Sequence, residues 1–102
     1  MNTSANRVEA TRDFRPEYWA VYAIEDKALG FFAGYKPFGP PCVPMFCNTL
    51  ENARLFDTFK DGLDARIKAL AIRDYSVYGA TVWAYRRCEL LPEQYKQYGD
   101  SK

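Results

Sequence analysis

Apolar residues along this chain come in short dense runs divided by polar turns, and the period inside each run predicts its element. Residues 18–24, Tyr-Trp-Ala-Val-Tyr-Ala-Ile, are rich in the aromatic and β-branched types that pack on a pleated surface, so they predict a strand. A polar bend at Glu25, Asp26 and Lys27 closes near Gly30 and leads into Phe31-Phe32-Ala33-Gly34-Tyr35. Two such runs joined by about five residues predict an antiparallel hairpin. Residues 1–15 are polar and charged with neither the helical nor the strand period, and predict a flexible arm with one helical turn around residues 8–14. A single domain then occupies residues 16–102.

Beyond the hairpin, four prolines at 37, 40, 41 and 44 remove backbone donors and fix φ, which predicts an ordered non-strand loop over residues 36–44. Met45-Phe46-Cys47 reads as a short extended exit. Asn48 and Glu51 have the spacing of a capping box, predicting a short helix over residues 49–54, with Leu55-Phe56 as a brief strand or turn. Thr58 and Asp61 repeat the start signal. Phe59, Leu63, Ile67 and Leu70 then recur at helical spacing, predicting one amphipathic helix to about residue 73, with Lys60, Asp64 and Lys68 on its wet face. Residues 80–85, Ala-Thr-Val-Trp-Ala-Tyr, predict the last strand, and Pro92 with Glu93 opens a C-terminal helix over residues 92–98.

The order of elements implies an α+β fold: a small antiparallel or mixed sheet, hairpin plus C-terminal strand, packed on one amphipathic helix, with a short extra helix and the C-terminal one. Composition supports a packed core, since 48% of the 102 residues are hydrophobic and 17% aromatic. The net charge is +1, with five basic and six acidic residues in 1–51 and nine and seven in 52–102. That even balance disfavours both a polyanion mimic and a protein that binds nucleic acid by phosphate neutralisation. No run approaches the length of a membrane span or signal peptide, so cytoplasmic residence without membrane contact is expected. Cys42, Cys47 and Cys88 are an odd set without framework spacing, which predicts free thiols in a reducing compartment.

Chemistry is sparse. The chain has no histidine, which removes the usual acid–base group near neutral pH and both Ser-His and Cys-His activation. Cys42, in the proline-rich loop near Lys36, is a faint nucleophile candidate against a reading as a small hydrophobe. Cys42, Cys47 and Cys88 cannot complete a zinc site, and Glu25-Asp26 and Asp57, Asp61 and Asp64 read as turn, cap and solvated face. Gly30, Gly34 and Gly39 fit no phosphate-binding fingerprint. No catalytic residue, metal or cofactor is expected.

The aromatic load is what stands out. Successive strand residues point to opposite faces, so one face of a small sheet cannot bury all of these rings. Trp19, Tyr35, Phe38 and Trp83 sharing an open face would form an interaction patch, unless the N-terminal arm or the C-terminal helix folds over it. The sheet aromatics, Trp83 and Tyr85 among them, could alternatively stack nucleobases, with Arg86 and Arg87 at the end of the last strand contacting phosphates.

The aromatic strand, the Phe32-Ala33-Gly34-Tyr35 run, and Leu50-Glu51-Asn52-Ala53-Arg54-Leu55-Phe56-Asp57-Thr58 ahead of a helix and final strand resemble small bacteriophage and prophage accessory proteins of β-β-α-β build. Some of these inhibit host defence, anti-CRISPR proteins among them. The resemblance covers about two-thirds of the chain, residues 18–85, and implies a fold and an origin but no active site. It implies a non-enzymatic inhibitor that binds a host protein or ribonucleoprotein complex in the bacterial cytoplasm. A single-stranded nucleic-acid-binding module is the alternative, and homodimerisation a further option.

Overall fold

A computed structural model describes residues 7–16, 19–37, 43–62 and 65–87. Its centre is strand β2 (Ala20–Asp26), whose first five residues are buried. Its alternation feeds two cores at once: Ala20, Tyr22 and Ile24 face one way, Val21 and Ala23 the other. Strand β3 (Gly30–Tyr35) returns along part of β2, and strand β4 (Pro44–Cys47) lies outside β3. Strand β5 (Phe56–Asp57) takes the remaining stretch of the same β2 edge, pairing with Val21 and Tyr22. Strand β6 (Thr81–Arg86) runs along the whole opposite edge, and β1 (Arg7–Glu9) closes that side.

Every pairing is antiparallel, in the order β1-β6-β2-β3-β4 with β5 branching from β2. The fold is therefore α+β, as the sequence predicts. Among the described residues its sheet has six strands, and the hairpin meets the last strand through the long-range β2–β6 ladder. The expected arm is corrected in part. Arg7, Val8 and Glu9 pair with Tyr85, Ala84 and Trp83, and Ala10 is fully buried with its N–H donated to the Val82 carbonyl at 2.8 Å. Three residues are too few to display an alternation, so sequence pattern misses this edge strand. Residues 1–6 lie outside the described residues.

The expected single helix is two. Asp57 caps α1 (Thr58–Asp61) by accepting from the Phe59 N–H at 2.8 Å, and the Asp61 carboxylate accepts from the Asp57 N–H at 2.9 Å. Gly62, at φ +79°, ends that turn, and α2 (Ala65–Ser76) starts in a new phase. Ala65, Ala69 and Leu70 are buried on α2, whereas Phe59 and Ile67 are more than half exposed. Leu63 and Asp64 lie outside the described residues. Packing explains the exchange: Tyr22, Phe32 and Phe56 fill the space beneath, so the helix approaches through alanines. Each such buried large side chain contributes roughly 1.5–3 kcal/mol.

The expected helix over 49–54 is a single 3₁₀ turn at Leu50–Asn52, without a side-chain cap on its N–H groups. That segment packs Leu50, Ala53 and Leu55 over Val21, Ala23 and Tyr85 on the face away from α2. The sheet is thus covered on both sides. The C-terminal helix over 92–98, Phe38, Cys42 and Cys88 lie outside the described residues.

Gly30 is held by a close approach: at φ +100°, a Cβ there would sit 2.3 Å from the Cys47 carbonyl oxygen. Gly34, at φ +114° beside the β3–β4 irregularity, has open space around it. Gly30→Ala should destabilise the fold by at least about 2 kcal/mol, and Gly34→Ala by about 1 kcal/mol from backbone strain alone. Urea unfolding of the two variants checks this, and equal losses would refute the steric account.

Candidate functional site

The candidate site is the corner where β2 starts and β6 ends. Thr58 donates its hydroxyl to the Ala20 carbonyl at 2.8 Å and accepts the Ala20 N–H at 3.1 Å, so α1 is locked to the start of β2. Across the sheet, the Arg87 N–H donates to the Trp19 carbonyl at 3.0 Å, extending the β2–β6 ladder by one step. Asp57 is fully buried, and one of its carboxylate oxygens caps α1 while the other accepts from Arg87 Nε at 2.9 Å. Trp19, Phe59 and Arg87 are therefore brought together by the Thr58–Ala20 bonds, the Arg87–Trp19 backbone bond and the Asp57 carboxylate.

The rings of Trp19 and Phe59 meet edge to face, with centroids 5.7 Å apart and planes at 87°. The Arg87 guanidinium lies 4.8 Å from the Phe59 ring centre. Trp19 is 57% and Phe59 61% exposed, so the pair is held in place and still faces water. Tryptophan and arginine beside a second aromatic are the residue types that anchor protein interfaces.

Of the other sequence candidates, Tyr35, Trp83 and Tyr85 do not join this corner. Tyr35 faces α2, where its hydroxyl and that of Ser76 are 2.7 Å apart and its ring meets Phe32 edge to face. Trp83 and Tyr85 face the opposite side. Trp83 donates its indole N–H to Glu25 Oε1 at 2.9 Å, and Arg7 lies 3.9 Å over its ring while pairing with Glu25 at 3.2 Å. Tyr85 is 2% exposed and receives an Arg7 N–H at 3.4 Å. Arg86 is exposed at the end of β6. The expected shared patch of Trp19, Tyr35 and Trp83 is thus corrected: alternation turns Tyr35 to the α2 side, Trp83 lies under Arg7 further along the other face, and Phe38 lies outside the described residues. A stacking platform of Trp83 and Tyr85 is likewise filled from within the chain.

Known family models, curated proteins and solved structures provide no match to this chain. The resemblance to phage accessory proteins rests on the residues quoted for it.

Sequence reading assigns Phe59 to the core, although Gly62 signals the break that frees it. Asp57 immediately before Thr58 is the legible sign of the cap. The described residues include no group of three or more His, Cys, Asp or Glu side chains able to hold a metal ion. Among them, no helix is long and apolar enough to cross a membrane. Burial pushes the Cys47 thiol up, which keeps it protonated and poorly nucleophilic.

Asp57→Ala removes both the cap and the carboxylate that Arg87 binds, and should cost about 2–3 kcal/mol. Asp57→Asn keeps an acceptor for the Phe59 N–H and should cost less; denaturant melts of both variants decide, and a neutral Asp57→Ala would remove the assigned anchor. Burial also raises the Tyr85 hydroxyl above the ordinary tyrosine value, against the hydrogen bond and positive charge of Arg7, while Glu25 pushes it further up. The folded state thus favours the neutral phenol: its contribution to stability is present below the unfolded tyrosine value and is lost as pH rises through the folded one. Arg7→Met should raise that folded value further, and NMR titration of ring-labelled tyrosine would show it; a downward move would contradict the assignment.

Proposed function

We propose that this chain is a non-enzymatic binding protein whose contact surface centres on Trp19 and Phe59, with Arg87 at their side. The observation that carries the reading is an aromatic pair left more than half exposed although the fold fixes it through a buried carboxylate. Exposed rings of this size cost solubility, and fixing them lowers the entropy lost when a partner covers them. The resemblance to phage accessory proteins supplies the sharper form: a host protein or ribonucleoprotein complex is bound and inhibited by occlusion, as an anti-CRISPR or other anti-defence protein would do in the bacterial cytoplasm.

Trp19→Ala and Phe59→Ala should each weaken partner binding roughly tenfold or more. Because both rings are exposed, the thermal midpoint should move little. Affinity capture from bacterial lysate, with quantitative mass spectrometry of the folded wild type and both variants, reads the effect. A partner retained equally by all three proteins, or none retained by the wild type, would overturn the proposal.

A further inference from the structure

We infer that the outer edge of β1 is a self-complementary docking strand, on which a second copy of this chain pairs antiparallel about a two-fold axis at Val8. Among the described residues, β1 pairs only with β6, and Arg7, Val8 and Glu9 are all exposed. The ladder fixes which groups face outward. Ala10 stands opposite Val82 in the β1–β6 register and donates to its carbonyl, so positions 10 and 8 turn their N–H and C=O groups inward. Arg7 and Glu9 therefore present theirs at the edge.

Antiparallel pairing of two such edges puts Arg7 of each copy opposite Glu9 of the other, each pair exchanging two backbone hydrogen bonds. Val8, which is 49% exposed, meets its own copy at the axis in the close, non-hydrogen-bonded position. The charges decide the partner. Short charged edges ordinarily resist pairing, because charges of one sign would meet, but a two-fold at Val8 opposes Arg7 to Glu9 at both ends, so here the charges attract. Arg7 uses Nη1 for Glu25 and Tyr85, and a guanidinium has five N–H donors, so a second carboxylate can be accommodated. An edge of three residues makes a reversible dimer whose sheet continues from one copy into the next. The inference rests on β1 and does not depend on the Trp19–Phe59 corner.

Sedimentation velocity of the full chain over a concentration series should show a monomer–dimer equilibrium. Glu9→Lys, an exposed change that sets Lys against Arg7, should weaken it by roughly tenfold. Under mild oxidation Val8→Cys should crosslink to a second copy through position 8, as mapped by mass spectrometry, while Glu9→Cys, out of register with itself, should not. A monomer across the accessible range, a dimer indifferent to Glu9→Lys, or equal crosslinking at positions 8 and 9 would overturn the inference. So would Val8→Cys joining a foreign chain instead of its own copy.

Discussion

The structure depends on one strand being dry on both faces. The first five residues of β2 are buried, so each of its side chains needs a covering layer and each of its backbone groups needs a partner. β6 meets the backbone demand along one edge, and β3 and β5 divide the other. The side chains demand two lids: α2 over Tyr22 and Ile24, and the Leu50–Leu55 segment over Val21 and Ala23. The amphipathic helix alone could not have sufficed. A two-layer fold built only on α2 would leave Val21 and Ala23 in water.

Polar contacts then act where this packing ends. At one end of the sheet, Asp57 is buried because it serves two masters: the N–H groups at the start of α1 need an acceptor, and Arg87 brings the charge that a buried carboxylate requires. On the face away from α2, Trp83 packs at the margin of the core under the Leu50–Leu55 lid, and Arg7 covers its ring. The long arginine side chain covers the indole with its guanidinium while Glu25 binds both partners. Both devices replace apolar cover with a charge network at the rim, where water still reaches Arg87, Arg7 and Glu25.

Much of this fold is legible in the sequence because its strands are dense in residues that only a sheet packs well. The hairpin, the extended piece before Cys47, the brief strand at Phe56 and the last strand all follow from composition and turns. The helix register follows only in part, because periodicity assumes an unbroken helix and Gly62 breaks it: Leu70 is core as its spacing predicts, Phe59 and Ile67 turn out exposed, and Ala65 and Ala69 share the packing with Leu70. Alanine is silent in a hydrophobic-pattern reading. The strand Arg7–Glu9 is illegible for another reason, since an edge strand with polar side chains is held by backbone bonds, which every sequence can make. Of the candidate site, Trp19 and Arg87 are legible as exposed aromatic and basic residues near strand ends. Phe59 is not, because its place follows from the break at Gly62, and of Asp57 the cap is legible but the burial against Arg87 is not.

The same constraint accounts for where recognition could reside. With both faces of β2 consumed by the core, the middle of the sheet has no surface to offer, and contact must fall on its perimeter. At a perimeter, a flexible aromatic side chain would lose rotamer freedom on binding, which offsets part of what its burial contributes. The backbone that carries Trp19 and Phe59 is already ordered: the Thr58–Ala20 bonds fix α1 to β2, the Arg87–Trp19 bond fixes β6, and the two rings meet edge to face. At this corner a buried carboxylate orders the backbone beneath two wet rings. The reading as a binding surface follows from that ordering more than from the exposure, because isolated exposed rings, such as Tyr75 and Tyr78 at the end of α2, occur in this same chain with no comparable ring partner among the described contacts.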